Sequence, residues 1–331
     1  MRVGLDVGGT KTDAVAVDAT GRVVGRMRRP TGWGPDAVVR TVLAAVADMR
    51  AETGAEVRSV GIGMPGVVEP GSTRVLHAVN LGVDDLDLGA VVEEALGVPV
   101  RVENDVKAAA LGAAALHGTP GRAPGAGFAG APGGATGAGR GGGAGGGATA
   151  YLNLGTGIAA GIVTDGLLWR GARGAAGEVG HISVDPAGPL CRCGQRGCIE
   201  ALAGGAAVAE RWGRPGVLPV RDVFDAADAG DARARGLRTG LAFGVAAAVR
   251  VLVLTADVGV VVLGGGLTGL GERLRADVAA ELGASAASSA FLLSLRLPER
   301  VELLPAGSPA AALGAALVGA EHDPEEALTH G

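Results

Sequence analysis

The sequence predicts a two-lobed α/β protein, on three observations. A strand, glycine turn, strand pattern occurs twice at a constant offset: Asp6-Val-Gly-Gly-Thr-Lys then Ala14-Val-Ala-Val-Asp18, and, 147 residues later, Asn153-Leu-Gly-Thr-Gly-Ile then Gly161-Ile-Val-Thr-Asp165. An internal echo of this kind points to two related lobes. Short β-branched runs alternate with stretches of helical spacing along the chain. The 331 residues are 48% hydrophobic, enough apolar material for one large or two moderate cores.

The elements follow in order. Residues 2–7 and 14–18 read as strands on either side of Gly8-Gly9-Thr10-Lys11-Thr12-Asp13. Gly21 allows a third strand over 22–28. Residues 36–53 place Val38, Val39, Val42, Leu43 and Val46 on one helical face. A buried-type strand over 57–64 ends at Pro65-Gly66, a helix is expected over 88–96 and a strand over 98–102. Asn104-Asp105 stands where a helix N-cap belongs, before 106–116. Residues 119–149 hold 14 Gly, 8 Ala and 3 Pro, too little apolar surface to offset ordering entropy, so a flexible surface insertion is expected there. A strand over 258–263 leads into Gly264-Gly265-Gly266 and a helix near 269–282. A strand near 301–304 and an apolar helix over 310–320 close the pattern.

Composition narrows the function classes. The formal net charge is −5 and no basic cluster occurs, so no nucleic-acid partner is expected. No 18-residue apolar run is free of charge and the first residues do not form a signal peptide, so no membrane partner is expected and a cytoplasmic location is. Lys11 and Lys107 are the only lysines in an arginine-rich chain, so a retained lysine carries information.

Two glycine hairpins suit phosphate binding, because backbone N–H groups approach an anion closely where no Cβ intervenes. Thr10, Thr12 and Thr156 add hydroxyls and Lys11 a cation. No GxxxxGK[ST] is present, which excludes the P-loop class on its own motif. His181, Cys191, Cys193 and Cys198 fall within 18 residues, the composition of a Cys₃His zinc site. Four protein ligands close such a site, so the zinc would be structural.

These segments together resemble the ROK family of sugar kinases, from about residue 3 to about 320. Asp6-Val-Gly-Gly-Thr-Lys-Thr resembles the family's first phosphate motif, Gly155-Thr-Gly its second, and Gly264-Gly-Gly the segment against the adenosine. Glu178-Val-Gly-His181, Gly188, Cys191-Arg-Cys193-Gly194 and Gly197-Cys198-Ile-Glu200 resemble its zinc and sugar signature, and Glu103-Asn104-Asp105 its acidic motif. The resemblance implies an actin-like ATPase (ribonuclease H-like) two-lobed fold with a structural zinc loop. Residues 1–103 with about 311–325 would form the small lobe and 104–310 the large one.

The resemblance also implies ATP-dependent phosphorylation of a hexose, most naturally glucose to glucose 6-phosphate. Asp105 would be the catalytic base, and Asn104, Glu178, His181 and Glu200 the sugar ligands. Gly8, Gly9, Thr10, Lys11, Thr12, Gly155, Thr156, Gly157, Gly264, Gly265 and Gly266 would hold ATP. Zinc would sit on His181, Cys191, Cys193 and Cys198, and Mg²⁺ on Asp6 through water. A homo-oligomer, dimer or tetramer, is the expected assembly. N-acetylglucosamine, N-acetylmannosamine and fructose stay open as substrates, since Gly204-Gly205, Val83 and Ala159-Ala160 depart from common family patterns. A sugar-sensing regulator is the second class, disfavoured because the phosphate motif begins at residue 6. A dinucleotide oxidoreductase is the third, disfavoured because Gly264-x-Gly266-x-x-Gly269 lacks the acidic strand end expected after it.

Overall fold

The computed structural model describes residues 1–117 and 147–320. The insertion expected at 119–149 lies outside the described residues except for its last three, of which Thr149 already opens a strand. In chain order the elements are β1 (Arg2–Val7), β2 (Lys11–Val17), β3 (Val23–Pro30), α1 (Pro35–Thr53), β4 (Ser59–Met64), β5 (Val67–Val68), β6 (Arg74–Ala78), β7 (Val83–Asp87), α2 (Leu88–Leu96), β8 (Val100–Asn104) and α3 (Asp105–His117). There follow β9 (Thr149–Leu154), β10 (Ile158–Thr164), β11 (Leu167–Leu168), α4 (Ile199–Ala203), α5 (Gly205–Trp212), α6 (Pro219–Asp228), α7 (Ala232–Ala256), β12 (Val260–Gly264), α8 (Glu272–Ala286), α9 (Ala290–Ser294), β13 (Val301–Leu303) and α10 (Ala310–Val318).

The chain forms two compact units. One comprises Met1–Gly147, Val163–Gly174 and Pro309–Gly331, the other Ala148–Ile162 and Ala175–Ser308. The lobe boundary expected at residue 103 falls elsewhere: α3 packs on α10 and stays with the first unit, as does the segment around β11.

In the first unit the sheet order is β3-β2-β1-β4-β8, with β1, β4 and β8 parallel, β2 antiparallel to β1, and β3 antiparallel to β2. Val3, Leu5, Val7, Ile62 and Met64 are fully buried. Helix α1 begins at Pro35, where the missing N–H costs nothing, and stops at Gly54, whose φ of 64° lets its N–H reach Arg50 O. Its buried face is Val38, Val42, Ala45, Val46 and Met49. A small antiparallel sheet, β5-β6-β7, has no counterpart in the sequence reading.

Helix α10 returns to this unit and lies at backbone distance from α3. A Cβ on Gly112 would come within 2.8 Å of Gly314 N, and one on Gly314 within 2.7 Å of Gly112 N. A Cβ on Gly61 would come within 3.0 Å of Gly319 N, so α10 presses on the sheet as well.

In the second unit the sheet order is β11-β10-β9-β12-β13, with β12 parallel to β9 and β13. Both sheets therefore place a hairpin beside parallel strands in the same sequence. β9 and β10 repeat the bounds of β1 and β2 at the offset of 147, which bears out the echo. Helix α7 starts under an Asp231 cap, whose Oδ1 accepts from Ala234 N at 3.0 Å. It is long and apolar enough to cross a membrane by length and composition, yet Leu241, Val245, Val249 and Leu252 lie in the core with Leu152, Phe224 and Leu263.

Gly314→Ala should destabilise the protein by about 2 kcal/mol, because the new methyl meets backbone that cannot rotate away. Gly283→Ala is the control: it lies in α8 with open space around its Cβ position, and should be neutral or stabilising by up to about 1 kcal/mol. Thermal melts of both variants check the difference.

Candidate active site

The first hairpin is tight: Gly8 N donates to Lys11 O at 3.0 Å. A Cβ on Gly9 would come within 2.7 Å of Asn80 O, so glycine is needed there for close approach. Thr10 and Lys11 are exposed at the turn. Thr12 departs from expectation. It is fully buried and its hydroxyl pairs with Thr31 Oγ1 at 2.8 Å, because β2 turns alternate residues inward and position 12 is an inward one.

β8 delivers Glu103-Asn104-Asp105 to the start of α3. Asn104 Oδ1 accepts from Val106 N at 3.1 Å and Lys107 N at 3.3 Å, so Asn104 caps the helix. Its Nδ2 donates to Gly66 O at 3.1 Å, which leaves one amide hydrogen of that side chain outside these bonds. Asp105 accepts from Val106 N at 2.9 Å through Oδ1. Both side chains thus meet the first N–H groups of α3, with Asn104 alone reaching Lys107 N. Glu103 is 4% exposed, accepts from Asn104 N, and is ion-paired to Arg170 at 2.7 Å. Neither Glu103 nor Arg170 stood among the sequence-derived site residues. Arg170 sits in Arg-Gly-Ala-Arg-Gly, where nothing in the pattern marks it out.

Asp6 ends β1 opposite Asp13 on β2. Burial, then the nearby carboxylates of Asp105 and Asp13, push its carboxyl up to about 7, while Lys11 and Arg28 pull the other way. Asp6 and Asp105, far apart in the chain but near enough for one carboxylate to act on the other, form an acidic corner beside the first hairpin. Such a carboxylate pair fits a hydrated divalent cation.

In the second unit the glycine segments meet. Gly155 N donates to Gly157 O at 3.1 Å, and Gly205 N to Gly155 O at 2.9 Å. A Cβ on Gly265 would come within 2.6 Å of Leu154 O, so the run 264–266 lies against the end of β9. Glu200, expected as a sugar ligand, uses Oε2 to accept from Ile158 N at 2.9 Å. It therefore braces the second glycine turn from the first turn of α4. Glu178 is exposed at the entry to a 3₁₀ turn, Val179–His181.

His181, Cys191, Cys193 and Cys198 present four donor atoms all within 4.8 Å of one another. Cys193 Sγ and Cys198 Sγ are 3.6 Å apart, and Cys191 Sγ is 3.9 Å from His181 Nδ1. Zn–S bonds of about 2.3 Å at tetrahedral angles put sulfurs about 3.8 Å apart, so the residues fit zinc. Nδ1 faces the thiols, which leaves Nε2 for a partner outside the cluster. Hydrogen bonds from Gln195 lower the exposed Cys193 thiol to about 6, while burial pushes Cys198 up to about 12. A metal would be needed to deprotonate the latter at neutral pH.

Two predictions follow from this geometry. Elemental analysis should find one zinc per chain, and Cys193→Ser should lose it and lower the melting temperature. The second concerns Asp6. Unfolded, its carboxyl ionises near the usual 3.8; folded, at about 7. Between these values only the unfolded state releases the proton, so this group's contribution to stability is full below about pH 4 and is lost as pH rises through 7. Without divalent cations, Asp6→Asn should therefore be more stable than the wild type above pH 7, by up to about 4 kcal/mol, with the gain vanishing toward pH 4. Urea titrations across pH measure it.

Comparison with known proteins accords with this arrangement. The chain matches the ROK family over residues 2–121 and 141–320. It is 31% identical to a glucokinase of Halalkalibacterium halodurans over 82% of each chain. It is 32% identical to an N-acetylmannosamine kinase of Salmonella heidelberg, covering 95% of this chain and 96% of that one. Its structure resembles a ROK family glucokinase from Streptomyces griseus in complex with glucose and AMPPNP, with a TM-score of 0.71 and 29% identity, covering 97% of this chain and 99% of that one. The two units, each with its glycine hairpin and parallel strands, have the actin-like ATPase fold. With the match running through both glycine hairpins, the acidic motif and the Cys/His cluster, the chain belongs to the ROK family.

Proposed function

We propose that the protein is a cytoplasmic, ATP-dependent hexose kinase that converts glucose to glucose 6-phosphate. The observation that carries this reading is the acidic corner: Asp105, at the start of α3, beside Asp6 at the first glycine hairpin. The family's glucokinases support the substrate, and the AMPPNP complex of the Streptomyces griseus enzyme supports ATP as donor.

In the reaction Asp105 takes the proton of the sugar 6-hydroxyl as that oxygen attacks the γ-phosphorus in line. The bond to the β-phosphate bridging oxygen breaks and ADP leaves. The glycine turns at 8–12 and 155–157 would hold the phosphates, and Gly264–Gly266 would lie along the adenosine. Asp6 would hold Mg²⁺ through water, and the ion supplies charge neutralisation at the phosphates. The free amide hydrogen of Asn104, Glu178, Nε2 of His181 and Glu200 are the polar partners of the sugar hydroxyls. Catalysis is then mostly positioning and charge stabilisation.

The N-acetylmannosamine kinase relative supports a second reading, in which an N-acetylated hexose is the substrate. ADP release against glucose, N-acetylglucosamine, N-acetylmannosamine and fructose, with ATP or polyphosphate as donor, decides between them. Glucose should give the highest kcat/KM; a clearly higher value for an N-acetylated sugar moves the substrate but not the class. Asp105→Ala should lower kcat by roughly 10²–10⁴-fold while sugar still binds. Near-normal kcat in that variant would remove Asp105 as the base.

A further inference from the structure

Lys107, one of the two lysines, is 4% exposed and lies on α3 two residues beyond Asp105. A cation buried that deeply needs a compensating partner. Its Nζ donates to the carbonyl of Gly174. At the end of β8, Glu103 is equally buried and holds Arg170. Two cation-to-acceptor links thus fasten both ends of one short segment, 170–174, to the junction of β8 and α3.

Nothing apolar in that segment competes for the role. Gly171, Ala172 and Arg173 are exposed, and Gly171 and Gly174 take φ values of 73° and 75°. The segment has no core side chain to hold it, so the two polar links supply its order. Glu178 follows Gly174 by four residues in the chain. Glu103 also accepts from Asn104 N, so the same side chain that holds Arg170 steadies the backbone of the capping residue.

We propose that Lys107 and Arg170 are positioning residues for the hexose, forming a two-point latch that orders segment 170–174 and with it the chain leading into Glu178. This rests on the kinase reading above. Neither side chain is a catalytic residue. The latch acts on sugar affinity and leaves the phosphate hairpins alone.

The test uses the full-length protein and three variants: Lys107→Met, which keeps the stem and removes the donor, Arg170→Ala, and Arg170→Lys. Each of the first two should raise the hexose KM by about tenfold, the loss expected of one hydrogen bond to a charged group, with the KM for ATP unchanged. Arg170→Lys should recover part of it. Brief trypsin digestion read by mass spectrometry gives a measure independent of activity: cleavage after Arg173 should be about tenfold faster in Lys107→Met and Arg170→Ala, because the segment opens more often. If Lys107→Met does not fold, Arg170→Ala carries the test, its target side chain being 27% exposed. An unchanged hexose KM with unchanged cleavage, or a lower melting temperature alone, overturns the proposal. If the wild type phosphorylates no hexose, the kinase reading fails and cleavage alone decides: faster cutting upholds the latch and unchanged cutting overturns it.

Discussion

The first unit depends on backbone meeting backbone between α3 and α10. Gly112 and Gly314 face each other at distances that admit no Cβ, and Gly61 gives α10 the same freedom over β4. Helices this close exchange dispersion contacts along their main chains and leave little room for sliding. The start of α3 is therefore set by packing as well as by its cap. Since Asn104 and Asp105 sit at that start, the geometry of the acidic motif follows from glycines far from any substrate.

Charge at the site is arranged against the stability of the empty protein. Asp105 and Asp13 both oppose ionisation of the buried Asp6, and Asp13 is paired with Arg28 at 2.5 Å. A fold selected only for stability would neutralise or remove such a cluster. An enzyme that brings a cation to this corner gains from keeping the carboxylates together. The contrast with Glu103 is instructive: there a buried carboxylate is fully matched by Arg170 and by Asn104 N, and its task is to hold shape.

Much of this was legible in the sequence, for identifiable reasons. The glycine hairpins repeat because each needs backbone exposed to an anion, and that need leaves a pattern of residue types. The Cys₃His cluster was visible because metal ligands are few and closely spaced. The strand edges shifted by two residues at β4 and β8, where β-branched runs extend beyond the ladder. The sheet β5-β6-β7 was missed because its strands are short and carry exposed charges such as Arg74 and Asp85, which pair with each other at 2.5 Å. The burial of Thr12 left no mark in the pattern, because its partner Thr31 lies just past the end of another strand. Arg170 left no local signal, since its partner Glu103 is 67 residues away.

The discontinuity of the first unit has a consequence for how the chain is made. Gly4 lies against the helix that contains Ala312 and Ala316, about 300 residues later, so this unit is closed by a highly non-local contact. During synthesis β1, β4 and α3 emerge long before the helix that seals their glycine-lined face. The second unit, whose main stretch is Ala175–Ser308, can complete its core first. The nascent N-terminal region must wait with an open groove until α10 has been made.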